Sequence, residues 1–161
     1  GSVSDEVICS VDFFPTILDI IGVNHSSNEN PIDGESLVPV LKGKSSLKRD
    51  GIFIDFPHYT KSPENIPSHV IINNQWKLIR VYGEGPERQN FYELYNLNED
   101  IKEKFNLASF YPEVIKELDG LIENHLNEID CNKPVINQAY DPKADSPIKD
   151  NILMRSSQVI K

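Results

Sequence analysis

The stretch PEVIKELDGLIENHLNEI, residues 112–129, decides the fold of this chain. A proline in its first position suits the first turn of a helix. Apolar side chains and one histidine recur along it at helical spacing and form one stripe: Val114, Ile115, Leu118, Leu121, Ile122, His125, Leu126 and Ile129. Charged side chains, mostly acidic, occupy the opposite face. The pattern predicts a long amphipathic helix that covers an apolar surface formed by another part of the chain.

Four short segments upstream of this helix supply that surface. They alternate between apolar and polar residues, as strands with one buried face do, and they span residues 51–56, 68–72, 76–82 and 91–95. The polar triplet Asn73-Asn74-Gln75 predicts a hairpin between the second and third segments. No helical pattern interrupts the four. The sequence therefore predicts an α+β fold, in which a long C-terminal amphipathic helix covers a small four-stranded antiparallel sheet.

The region before the sheet has a different pattern. Residues 12–22 combine a capping aspartate, a proline in the first turn, apolar residues at helical spacing and a terminal glycine, which together predict a short buried helix. Residues 6–11 indicate a brief strand ahead of it, and residues 36–41 a second helical turn. At the other end, the proline-containing residues 131–161 predict an extended tail.

Composition narrows the classes of partner. The chain has 161 residues, and 25 Asp and Glu against 16 Lys and Arg give a net charge of −9, which argues against binding to a nucleic-acid backbone. No run approaches the roughly 18 apolar residues of a membrane helix, so we expect neither nucleic acid nor a membrane as partner. Cys9 and Cys131 lack the spacing of a zinc site; we expect two thiols, with a long-range disulfide as the alternative.

Motifs of common hydrolases and nucleotide-binding proteins are absent, and the candidate site is the loop after the first strand. This loop carries His58, Tyr59 and Lys61, and His69 enters the next strand. These side chains could converge on an anionic or sugar ligand. The alternative is that His58 is a loop histidine bonded to backbone. His125 lies on the apolar stripe of the long helix, which indicates a core histidine.

Several segments in a fixed order resemble type I sulfatases. Residues 10–22, SVDFFPTILDIIG, and residues 33–43, DGESLVPVLKG, resemble the end of the catalytic domain of that family. The order continues like the family's C-terminal domain, with FPHY at residues 56–59, WKLIR at 76–80 and ELYNL at 93–97.

The resemblance implies a division of the chain. Residues 1–45 would be a strand-helix remnant that ends the α/β catalytic domain, residues 46–130 the C-terminal domain, and residues 131–161 the tail. The rest of the catalytic domain is then the expected partner. We expect the chain on its own to self-associate, or to be partly disordered in residues 1–30, because the apolar residues of the first helix would lack their cover.

The resemblance also implies an activity, the hydrolysis of sulfate esters, with sulfated carbohydrates as the expected substrates. Sulfatases use a formylglycine, made from the cysteine of a Cys-x-Pro-Ser-Arg motif, beside a calcium ion, and both belong to the larger domain. Here Cys131-Asn132-Lys133-Pro134 is only a superficial echo of that motif. We therefore expect no nucleophile and no metal ligand in this chain, and no activity from it alone. The sequence itself leaves the compartment open, and the resemblance suggests an exported parent protein in the periplasm, outside the cell or in the lysosome.

In many members the histidine of the Pro-His-Tyr type loop borders the substrate cleft. His58 matches it, so the expected substrate-binding residues are His58, Tyr59, Lys61 and His69. Two other functions remain open. One is a phosphodiesterase or phosphonate hydrolase of the same alkaline-phosphatase superfamily. The other is a module that binds a glycan or a protein without chemistry.

Overall fold

The computed structural model describes residues 1–24, 31–44, 46–58, 66–83, 89–131 and 133–135. The chain divides into two compact units, Gly1–Ile52 and Phe53–Lys161. In the described ranges, no helix has both the length and the apolar character needed to cross a membrane.

The first unit contains two short helices. A 3-10 turn, Ser10–Asp12, leads into helix α1, Phe13–Ile20, and helix α2 spans Val38–Leu41. The strand expected at residues 6–11 is wrong: within residues 1–24 the structure has this turn and α1 but no strand. A strand needs a neighbour to satisfy its backbone groups. Here side chains bind them instead, as Arg49 Nη2 donates to the carbonyl of Val7 at 2.6 Å.

Asp12 joins three segments of this unit. Its carboxylate accepts two bonds from the Arg49 guanidinium, at 2.7 and 2.8 Å, and also accepts from the backbone N–H groups of Cys9 and Glu35. Burial opposes ionisation of Asp12, but these bonds outweigh it and lower the pKa of the carboxyl. These contacts of the Asp12 carboxylate, called the Asp12 hub below, fix the backbone ahead of α1.

Helix α1 is less buried than its pattern predicts. Only Pro15 and Thr16 are buried in it. Leu18 is half-buried, but its other large apolar residues are more than half exposed, as is Ile21 just after it: Phe13, Phe14, Ile17 and Ile20. The helix has the predicted apolar face, but nothing in the described part of the chain covers most of that face.

The second unit contains the sheet and the long helix. The strands are β1 (Ile52–Phe56), β2 (Ser68–Asn73), β3 (Trp76–Val81) and β4 (Phe91–Asn96), in the order β1-β2-β3-β4. Strands β2, β3 and β4 pair antiparallel in sequence. Helix α3 spans Pro112–Glu128. The predicted α+β fold, a four-stranded antiparallel sheet with a C-terminal helix, is confirmed.

The turn between β2 and β3 sets the register of these two strands. Asn74 adopts a φ of +50°, a left-handed conformation that asparagine tolerates in tight turns. The pairing of β2 with β3 that extends from this turn places Ile71 opposite Leu78, and the pairing of β3 with β4 places Leu78 opposite Leu94. These three side chains form a row beneath α3.

The core of the unit lies between this row and the helix. Its fully buried members are Ile71, Leu78, Leu94, Leu118, Ile122 and Leu126. Burying a side chain of this size stabilises a fold by roughly 1.5–3 kcal/mol. The apolar stripe read from the sequence therefore holds α3 on β2, β3 and β4.

Candidate functional site

The residues predicted to bind substrate are separated by the fold. His58 follows the end of β1, is exposed, and its ring packs against Phe56 with centroids 4.4 Å apart. Tyr59 and Lys61 lie outside the described residues. His69 lies in β2 and is completely buried, so it is not exposed to a ligand. The described contacts do not bring His58 and His69 together.

His69 instead belongs to a row of polar side chains beneath α3. It pairs with Arg80 on β3, and Arg80 pairs with Tyr92 on β4. The strand period of two places this polar row, defined as His69, Arg80 and Tyr92, on the same face as the apolar row. The helix meets it with carboxylates: Tyr92 Oη donates to Asp119 at 3.0 Å.

Arg80 is the centre of the polar row. Its side chain is 2% exposed, and Nη1 donates to Asp119 at 3.0 Å and to Glu123, while Nη2 donates to Tyr82 Oη at 2.8 Å. Burial opposes the charge, but Asp119, Tyr82 and Glu123 outweigh it and raise the pKa of Arg80. Because its charge is fully compensated by these partners, Arg80 ties helix to sheet and is not available to a substrate.

A second polar group joins β1 to the same helix. Asp55 on β1 lies between two imidazoles, with Oδ2 3.1 Å from Nε2 of His125 and Oδ1 3.6 Å from Nε2 of His69. The ring of His125 also stacks on Phe53, with centroids 4.1 Å apart and planes 8° from parallel. His125 thus packs on the core side as its stripe position predicts, but it also makes a polar contact that the stripe does not predict.

His69 has unusual surroundings for a polar side chain. Neither ring nitrogen has a hydrogen-bond partner in the described structure, and Tyr82 meets the ring edge-on with centroids 5.2 Å apart. Burial, opposed by Asp55 and reinforced by Arg80 and His125, lowers the pKa of His69. At neutral pH the imidazole is uncharged.

The described residues do not fit a calcium site. Calcium in proteins takes six to eight oxygen ligands. No group of three or more His, Cys, Asp or Glu is placed to hold a metal within the described ranges. The carboxylates that do lie together, Asp119 and Glu123, are both engaged by Arg80. Cys9 and Cys131 are both partly buried.

Sequence reasoning missed the polar contacts of Asp55, Arg80 and Asp119. A signal for part of them was present. A hairpin centred on residues 73–76 places position 69 opposite position 80, and both positions carry a polar residue in an otherwise apolar alternation. The partners on α3 could not be found in this way, because the rotation of the helix over the sheet is set by packing.

Comparison with known proteins identifies relatives. A family model described as N-sulphoglucosamine sulphohydrolase, C-terminal, matches residues 1–131. An N-acetylglucosamine-6-O-sulfatase of Bacteroides thetaiotaomicron is 31% identical over 156 residues, covering 94% of this chain and 27% of that protein. Arylsulfatase K of Xenopus laevis is 29% identical over 124 residues, covering 74% of this chain and 22% of that protein.

A solved structure is also similar to this chain. It shows a protein in complex with its substrate D-glucosamine-2-N,6-O-disulfate, and it is similar to this chain with a TM-score of 0.58 and 28% identity. The similarity covers 76% of this chain and 24% of that one. The chain thus spans about a quarter of the length of the proteins it matches.

Proposed function

Because the chain belongs to the sulfatases, in the C-terminal family of N-sulphoglucosamine sulphohydrolase, we propose that it completes a sulfuric ester hydrolase that acts on sulfated glycans. The observation that carries this proposal is the extent of the match, which includes α1, the whole sheet and α3. A resemblance confined to one hairpin or helix would support only a shared fold.

The substrate class rests on two of the relatives. One is named for the 6-O-sulfate of N-acetylglucosamine, and the other was solved with a disulfated glucosamine as its substrate. Both are sulfated amino sugars. We therefore assign sulfated amino sugars within glycans as the substrates of the protein that carries this chain.

The chemistry belongs to the catalytic domain in this proposal. Hydrolysis of a sulfate ester needs a strong nucleophile, positive charge beside the sulfate oxygens and an acid for the leaving oxygen. The cysteine nearest in sequence to a modification motif, Cys131, packs against the core and lacks the Ser-Arg continuation. Formylglycine and calcium are accordingly assigned to the catalytic domain, and the chain alone is expected to be inactive.

The apolar face of α1 supports the proposed partner. Phe13, Ile17 and Ile20 are each more than half exposed on one short helix. Patches of this kind mark surfaces that another part of a protein covers. We assign residues 1–45 to the end of the catalytic domain, whose remaining elements would cover this helix.

His58 is the described residue that we propose to contact substrate. Pro57 cannot donate to a strand ladder, so β1 ends there and the exposed ring of His58 projects from the strand end. An imidazole can donate a hydrogen bond to a sugar hydroxyl or a sulfate oxygen. Tyr59 and Lys61 follow it in sequence and offer further donors. His69 is buried in β2, so we leave it out of the proposed substrate contacts.

Steady-state kinetics of His58→Ala in the protein that carries this chain test the proposal. A hydrogen bond to a partly desolvated sulfate or hydroxyl contributes about 1–3 kcal/mol. We expect kcat/KM for a sulfated amino sugar to fall by about ten- to a hundredfold, and kcat/KM for a small aryl sulfate to change little. His58→Gln is the matched control, because it keeps a donor and should retain part of the activity. An equal fall in kcat/KM for both substrates contradicts the assignment, as does no fall for either substrate.

The alternative function, a related phosphodiesterase or phosphonate hydrolase, can be distinguished from a sulfatase by the nucleophile of the catalytic domain. A cysteine in the modification motif of the catalytic domain supports the sulfatase, whereas a threonine or serine at that position supports the alternative. A protein with this chain that cleaves a phosphate diester faster than a sulfate ester would overturn the proposed substrate class.

A further inference from the structure

β1 is held weakly by the sheet itself. It is an edge strand, and among the described strands β2 is its one neighbour. It is five residues long, and it leads directly to Pro57 and His58. Short edge strands fray readily. Contacts from outside the sheet therefore decide how firmly the end of β1 is placed.

One side chain of α3 makes two contacts with β1. The ring of His125 lies flat on Phe53, and its Nε2 lies 3.1 Å from Oδ2 of Asp55. Phe53 and Asp55 are alternate residues, so they project from the same face of the strand. A contact with both fixes the position of β1 along its own direction, because a one-residue slip would move both partners to the other face.

The polar contact requires a hydrogen-bonding side chain at position 125. A leucine at position 125 would continue the apolar stripe of α3, but it could not meet the Asp55 carboxylate. The His125 side chain is 23% exposed and that of Asp55 27%, and the contact lies at the surface, so the stacking of His125 on Phe53 must add to it to hold β1. Asp55 has a second imidazole, His69, on its other oxygen at 3.6 Å, which keeps the carboxylate in a polar setting.

We propose that His125 is a positioning residue, which fixes β1 through Phe53 and Asp55 and so places His58 at the end of the strand. The effect of His125 on substrate binding rests on the proposed role of His58. The positioning of β1 by His125 does not depend on that role.

Hydrogen–deuterium exchange of the 161-residue chain tests the positioning directly. In His125→Leu, the amides of β1 should exchange about tenfold faster than in the unmodified chain, while those of β3 and β4 stay protected. In His125→Gln, whose amide can still donate to Asp55, protection of β1 should largely return. Asp55→Leu should behave like His125→Leu.

A control separates anchoring from general destabilisation. Leu126→Ala removes core packing at the next residue of α3 and leaves the His125–Asp55 contact in place, so it should raise exchange across the whole unit. Exchange that rises equally in all strands of His125→Leu would overturn the proposal, as would unchanged protection of β1.

Kinetics of the same substitutions, made in the protein that carries this chain, then test the consequence. We expect His125→Leu to raise KM for a sulfated amino sugar several-fold with kcat nearly unchanged, and His125→Gln to restore KM. Loosening of β1 without a change in KM would leave the positioning intact and contradict the role of His58. Unaltered β1 with a raised KM would contradict the positioning.

Discussion

The buried charge of Arg80 predicts an asymmetry between the two ways of breaking its ion pairs. The Arg80 side chain is 2% exposed, whereas those of Asp119 and Glu123 are 25% and 43% exposed. Arg80→Met removes the buried charge and fills similar space with an apolar chain. The carboxylates left behind can regain water, and Glu123 keeps its bond to Lys133. We expect this variant to lose about 1–2 kcal/mol in the free energy of unfolding.

Removing the carboxylate charges and keeping Arg80 should lower the free energy of unfolding by more. Asp119→Asn with Glu123→Gln leaves the guanidinium buried without a counter-charge, and breaking a buried pair in this way costs about 3–5 kcal/mol. Urea unfolding followed by fluorescence measures both, because the chain has one tryptophan, Trp76, which packs against the core of this unit. A loss for Arg80→Met that equals or exceeds the loss for the double variant would refute the reasoning.

Three further predictions follow from other features. Burial lowers the pKa of His69, so the unfolded chain binds a proton that the folded chain excludes; stability should fall as pH drops below about 6.5, and His69→Phe should flatten that slope in urea unfolding at several pH values. A Cβ on Gly34 would lie 2.1 Å from the carbonyl oxygen of Val11, so Gly34→Ala should cost about 1–3 kcal/mol in thermal unfolding. Gly120 lies inside α3 with open space around it, so Gly120→Ala should stabilise the chain by up to about 1 kcal/mol. The exposed face of α1 should make the chain self-associate in sedimentation velocity, and Phe13→Glu should restore the monomer; a monomer at every concentration of the unmodified chain would count against this.

The periodic elements could be predicted because their signals are local. The alternation in residues 68–72 and 76–82 and the turn between them gave β2 and β3 within a residue of their observed ends. The spacing in residues 112–129 gave α3 in the same way. An apolar pattern with a fixed period determines which face is buried before any partner is known.

The features that the sequence could not predict depend on partners from other segments. Residues 6–11 have the composition of a strand, but the Asp12 hub and Arg49 bind their backbone instead. His69 was expected with His58 at a ligand, yet its register opposite Arg80 buries it. A sequence pattern does not state which strand edge, ion pair or helix face a polar residue will meet.

Sulfate release is the most direct test of the central claim, that this chain is the C-terminal part of a sulfatase. The measurement compares two proteins on a 6-O-sulfated N-acetylglucosamine with calcium present: the purified 161-residue chain, and the same chain joined to a sulfatase catalytic domain. We expect no turnover from the chain alone and turnover from the joined protein. Sulfate release by the chain alone that Cys131→Ala abolishes would contradict the account, as would a joined protein that is folded, carries formylglycine and releases no sulfate.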